Sequence, residues 1–97
     1  MIVSIHDKLT QDIFDGVQSR HIRRLDKSLH AKARRLLDQI NAAPDVNMLR
    51  VTPGNRLEKL SGDLKDQWSV RLNDQWRIVF KWIDNNAHDV CIIDYHK

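Results

Sequence analysis

The sequence predicts an α+β fold, with two N-terminal helices packed on a mainly antiparallel sheet of four to five strands. Three observations carry this. Apolar residues recur at helical spacing up to Ile40, the spacing drops to two after Asn55, and turn residues cut the second half into short strands.

Ile2, Val3 and Ile5 predict a short first strand. Leu9, Ile13, Phe14 and Val17 lie on one face of a short helix, with Asp7 or Thr10 as its cap and Gly16 near its end. Leu25, Leu29, Ala33, Leu36, Leu37 and Ile40 form one stripe of a second helix. Asn41-Ala42-Ala43-Pro44-Asp45 ends it, because proline cannot continue the hydrogen-bond ladder. Thr52-Pro53-Gly54-Asn55 marks a turn. Arg56 to Leu60 reads as a weak strand closed by Ser61-Gly62-Asp63. Trp68 to Leu72 and Trp76 to Trp82 alternate as strands, and Asp84-Asn85-Asn86 makes the next turn. Ala87 to Tyr95 is the last strand, and its continuous apolar run predicts burial on both faces.

The chain has 97 residues, which suits one domain spanning 1–97. Apolar residues make up 41% and charged residues 30%, too apolar for a disordered chain. The core is small, and Trp68, Trp76 and Trp82 are expected to carry much of it. No apolar run is long enough to span a membrane, and residues 1–7 lack the pattern of a signal peptide, so a cytoplasmic protein without membrane contact is expected. The single cysteine, Cys91, excludes an internal disulfide and reads as a buried small hydrophobe. The five histidines show no metal-ligand spacing, and no glycine-rich phosphate loop or nucleophile elbow is present. Neither metal nor cofactor is expected.

Net charge is +3, unevenly spread. Arg20, Arg23, Arg24, Lys27, Lys32, Arg34 and Arg35 stand against Asp26 alone between residues 20 and 35, while acids outnumber bases in the rest of the chain. Two readings fit: a surface for a polyanion such as nucleic acid, or a solvated helix face.

The hairpin around Asn73-Asp74-Gln75 carries the sharpest chemical clue. A two-residue loop would mix arginine and tryptophan on both faces. An odd-length loop pairs Arg71 with Arg77 and Val70 with Ile78, and collects Trp68, Val70, Leu72, Trp76, Ile78, Phe80 and Trp82 on one face. The other face then reads Ser69, Arg71, Arg77, Val79 and Lys81. Only that register yields a coherent core face. It sets two arginines opposite each other, which is unfavourable unless something intervenes. An anion between them is one solution, since the guanidinium fork grips phosphate in two places. Exposed arginines with stems on the sheet and carboxylates nearby, such as Asp94 or Glu58, are the other. The tail Asp94-Tyr95-His96 adds a proton-transfer group and an aromatic ring.

The run from Pro53 to Glu58, Leu60-Ser61-Gly62-Asp63, the stretch Trp68-Ser69-Val70-Arg71-Leu72-Asn73-Asp74-Gln75-Trp76-Arg77-Ile78 and the terminal Asp94-Tyr95-His96 resemble the HigB group of RelE/ParE-superfamily toxins, also called plasmid maintenance killer proteins, and within it the GraT-like members. The resemblance spans nearly the whole chain. It implies a compact RelE-like, microbial-RNase-like α+β fold and metal-independent cleavage of mRNA in the ribosomal A site, with the 2′-hydroxyl attacking the adjacent phosphate. It implies a HigA-type helix-turn-helix antitoxin as partner, with operator DNA bound only through that antitoxin.

By the same resemblance Arg77 contacts the phosphate, His96 transfers protons, Tyr95 completes the terminal pair, Asp94 orients His96, and Arg71 matches an arginine common in the group's strand, which the register sets beside Arg77. The run Arg20, Arg23, Arg24, Lys27, Lys32, Arg34 and Arg35 would contact ribosomal RNA, and Arg56, Lys59, Lys65 and Lys81 would also bind RNA. One departure stands out. Several HigB proteins carry His-Pro-Leu-Lys-Gly where this chain reads Glu58-Lys59-Leu60-Ser61-Gly62. Glu58 then replaces the family histidine as candidate base, with Lys59 or Lys65 supplying charge; the alternative is a weaker nuclease. Two competing functions remain open: a toxin of the same fold acting on gyrase, as the ParE-like branch does, and a non-catalytic module binding ribosomes or RNA.

Overall fold

The computed structural model describes residues 1–61 and 66–95. The first helix, α1, spans Lys8–Asp15. Of the two expected caps, Asp7 fills the role, accepting from the Thr10 amide at 3.0 Å. Thr10 is buried instead, and its hydroxyl accepts the Ile92 amide at 2.9 Å. Gly16 ends α1 at φ 71, a left-handed conformation that glycine adopts without cost.

The second helix starts later than its apolar stripe. Arg20–Arg24 and Lys27–Leu29 are 3-10 turns, and α2 spans His30–Ala42. Local hydrogen bonds interrupt the early part. The Asp26 carboxylate accepts the Ser28 amide at 2.9 Å, and the His30 Nε2 lies 3.0 Å and 2.8 Å from the Ile22 and Leu25 carbonyls. Leu25 therefore sits in extended backbone outside the helix, yet is only 1% exposed, because its side chain still belongs to the core. Two further 3-10 turns, Val46–Arg50 and Pro53–Asn55, lead into the sheet.

Four strands follow: β1 Glu58–Lys59, β2 Gln67–Arg71, β3 Trp76–Ile83 and β4 Asn86–Asp94. They form one antiparallel sheet in sequential order. β1 is shorter than expected, since Arg56 adopts a left-handed conformation just before it. The expected first strand is reduced to two isolated parallel bridges, Ile2 to Ala87 and Ile5 to Val90, along the β4 edge.

The hairpin adopts the odd-loop register. Arg71 pairs with Arg77, Val70 with Ile78, and the Leu72 amide bonds the Trp76 carbonyl at 2.9 Å. The Asn73 side chain closes the loop by accepting the Gln75 and Trp76 amides. The β3–β4 connection is tighter than the expected three residues. Asp84 and Asn85 both have positive φ, which suits a two-residue turn matching strand twist, and Asn86 already belongs to β4.

The core forms between the helices and one sheet face. Val70, Leu72, Ile78, Phe80, Val90 and Ile92 meet Leu9, Ile13, Leu36, Leu37 and Ile40. Trp68, Trp76 and Trp82 border this core half-buried, so they do not dominate it as expected; aliphatics and Phe80 fill its centre. β4 is not buried on both faces. Ala87, Val90 and Ile92 point into the core, whereas Cys91 and Ile93 lie half-buried on the other face. That second face is the open face of the sheet, and it carries Ser69, Arg71 and Arg77. Among the described residues no helix is long and apolar enough to cross a membrane.

Candidate active site

Strand alternation sends Glu58, Ser69, Arg71, Arg77 and Val79 to the open face, where Tyr95 follows the end of β4. Arg77 is the most enclosed charged group there, at 9% exposure. Its Nε donates to the Ser69 hydroxyl at 2.9 Å, and its Nη2 donates to the Arg56 carbonyl at 2.9 Å. Glu58 Oε1 lies 3.7 Å from Nη2. The Tyr95 ring lies 5.4 Å from the guanidinium carbon, within cation–π range.

The problem of paired arginines is solved by divergence. Arg77 turns toward β1, while Arg71 turns toward the hairpin loop and pairs with Asp74. The Arg71 hydrogen bond and charge hold the Asp74 carboxyl below its ordinary range. Each arginine therefore has its own carboxylate. Glu58 was one of the two expected; Asp94 instead accepts from the Gln75 side chain at 3.1 Å, while the Tyr95 amide bonds the Gln75 carbonyl at 2.7 Å. Gln75 thus fastens Asp94 and Tyr95 beside the hairpin and brings Tyr95 to Arg77.

The structure gathers Arg77, Glu58 and Tyr95 at one place, with Arg71 adjacent and Asp94 at its margin. His96 and Lys65, and the expected turn at Gly62 and Asp63, lie outside the described residues. Lys59 is turned to the opposite face from Glu58, where its ammonium sits 5.7 Å from the Trp68 ring, with Arg50 on the same ring at 6.0 Å. Lys59 therefore does not stand in for a family lysine beside Arg77. Arg56 is exposed, and its carbonyl, not its charge, meets Arg77. Lys81 is on the open face, paired with Asp89 at 3.4 Å.

The basic run lies on the helical side. Arg20, Arg23, Arg24, Lys27, Arg34 and Arg35 are exposed, and Lys32 is half-buried. Arg34 also packs against Gly16 at the end of α1, where a cation complements the helix dipole. Arg24 links this run to the open face: its Nη2 is 3.5 Å from Asp7, and Asp7 is 3.6 Å from the Cys91 sulfur. A shallow depression of about 380 Å³ lined by Val79, Lys81, Cys91 and Ile93 continues that face away from Arg77.

Sequence reasoning missed Ser69 and the Arg56 carbonyl as Arg77 partners. Ser69 was legible as a small hydroxyl diagonal to Arg77 in the chosen register; the carbonyl was not, because it depends on the left-handed backbone at Arg56. Among the described residues no cluster of side chains could hold a metal ion. Cys91 is set apart from acid–base work. Burial, and next the Asp7 carboxylate, push its thiol from 9.0 up to about 11. A thiol that keeps its proton longer when folded contributes stability fully below pH 9 and loses it as pH rises through 11. Alkylation by iodoacetamide should accordingly be slow at pH 8 in the folded protein and fast in urea. Equal rates in both would mean the thiol is neither buried nor raised.

The family model described as the RelE-like toxin of the type II toxin–antitoxin system HigB matches residues 4–96. This chain belongs to the HigB-like toxin family. Toxin HigB-1 of Vibrio cholerae is 35% identical over all of this chain and 99% of its own length. Endoribonuclease HigB of Proteus vulgaris is 27% identical over 87% of this chain and 82% of its own. Among solved structures, YoeB from the YoeB–YefM complex of Staphylococcus aureus superposes with a TM-score of 0.62 over the whole of this chain and 99% of its own at 20% identity. The YoeB/ParE toxin of Agrobacterium tumefaciens gives 0.57 at 18% identity, covering both chains fully. These likenesses at low identity establish the HigB-like chain's fold: two helices on a four-stranded antiparallel sheet.

Proposed function

We propose that this HigB-like toxin is a metal-independent endoribonuclease that cleaves mRNA in the ribosomal A site and so stops translation. The observation that carries the reading is Arg77, a guanidinium held on the open sheet face by two neutral acceptors, the Ser69 hydroxyl and the Arg56 carbonyl. The relative named Endoribonuclease HigB points the same way.

In this reading the 2′-hydroxyl attacks the adjacent phosphorus, forming the 2′-O–P bond as the P–O5′ bond breaks. Arg77 holds the charge that builds on the phosphate oxygens, with Arg71 beside it. Glu58 takes the 2′-hydroxyl proton, and His96 delivers a proton to the departing 5′-oxygen. Asp94 orients His96, and Tyr95 stacks on a base or bonds the phosphate. Arg20, Arg23, Arg24, Lys27, Lys32, Arg34 and Arg35, with Arg56 and Lys81, hold RNA phosphates, which makes binding sensitive to salt. A HigA-type antitoxin neutralises the toxin in the cytoplasm and carries the complex to operator DNA.

Primer extension on a defined mRNA in a purified translation system tests this. Cuts within codons that require translating ribosomes are expected. Because translation needs magnesium, metal independence is read separately: ribosomes stalled on mRNA should be cut equally with magnesium or with cobalt hexammine as the only multivalent cation. Intact mRNA at high protein concentration would refute the ribonuclease. With mRNA left intact, DNA damage in cells that express the protein would favour a gyrase target, and ribosome binding alone a non-catalytic module.

A further inference from the structure

Ser69 is fully buried in the middle of β2, at 0% exposure. A buried hydroxyl needs a hydrogen-bond partner, and its oxygen accepts Nε of Arg77 at 2.9 Å. The Arg56 carbonyl accepts Nη2 at 2.9 Å. Nε and Nη2 make up the side-on fork of a guanidinium. Both of its positions are therefore filled by neutral protein acceptors, which restrain the plane without cancelling the charge. Nη1 and the outer hydrogen of Nη2 form the end-on fork, and Nη1 donates to no group among the described residues. Glu58, at 3.7 Å from Nη2, sits beyond good hydrogen-bond length.

We infer that Ser69, together with the Arg56 carbonyl, is a positioning residue that aims the end-on fork of Arg77 at the scissile phosphate of RNA. This rests on the ribonuclease reading above. The fold supplies both acceptors rigidly. Ser69 lies diagonal to Arg77 across the β2–β3 ladder. Arg56 follows the buried Asn55, whose side chain donates to Gln39 Oε1 and the Leu49 carbonyl, each at 3.2 Å. A long side chain held in place before substrate arrives spends no rotamer entropy in the transition state.

The test pairs kinetics with a probe of the arginine itself. In the wild-type protein the Nε–H of Arg77 should give a distinct, slowly exchanging signal in nitrogen-15 NMR. Ser69→Ala should lose that signal, and its kcat for cleavage of ribosome-bound mRNA should fall up to about a hundredfold with KM little changed. Ser69→Thr, which keeps the hydroxyl, should retain the signal and most of the rate. A fast-exchanging Nε–H in the wild type, or Ser69→Ala at the wild-type rate, overturns the positioning role while leaving the ribonuclease standing. A wild type that cuts no RNA overturns both, and a protected Nε–H then shows only that Ser69 holds Arg77.

Discussion

Replacing Arg77 by alanine should lower cleavage of ribosome-bound mRNA by about 10²–10³-fold, the cost of removing one donor aimed at developing charge. Arg77→Lys should fail almost as badly. Lysine keeps the charge but has no planar fork, so it cannot bond Ser69 and the Arg56 carbonyl while offering a second edge to phosphate. The loss must be separated from unfolding. Without the guanidinium, the buried Ser69 hydroxyl and the Arg56 carbonyl lose their partner, at a cost of about 1–3 kcal/mol. Urea titrations of both variants, followed by circular dichroism, give that number directly. A variant that is folded at assay temperature and still cuts at the wild-type rate would remove Arg77 from the site.

Phe80→Ala should be the most damaging core substitution. Phe80 is 0% exposed and is the largest of the fully buried side chains. It stands at the centre of the core face of β3, edge-on to Trp82 with ring centroids 6.1 Å apart. Truncation removes buried apolar area and leaves a cavity, together costing about 3–5 kcal/mol. A chain of 97 residues has about 5–15 kcal/mol in total, so much of its stability goes. The melting temperature should drop by roughly 4–8 °C for each kcal/mol lost. A loss below about 1 kcal/mol would mean that neighbouring side chains close the gap and that the core is looser than its burial implies.

Much of the site was legible because strand alternation is a local rule. Burial of Trp68, Val70 and Leu72 against Trp76, Ile78 and Phe80 selected one register, and that register set Arg71 opposite Arg77. Its partners were harder. Glu58 is brought to Arg77 by the pairing of Glu58 with Ser69, which a strand of only two residues barely announces. Lys59 was expected to add charge near Arg77, and one step along β1 puts it on the other face. The helix stripe overreached at Leu25 and Leu29 because side-chain bonds from Asp26 and His30 compete with helical ones, and periodicity cannot see that competition.

The sequence by itself determined the α+β class, the arginine pair and the charge asymmetry, since each follows from spacing or composition along neighbouring residues. Only the tertiary structure decided what the arginines do. Arg71 and Arg77 diverge to separate carboxylates, and a carbonyl released by a left-handed residue 21 positions earlier takes one edge of Arg77. The physical reason is range. Pattern reports which face a residue occupies, whereas the direction of a long flexible side chain depends on acceptors brought from distant parts of the chain.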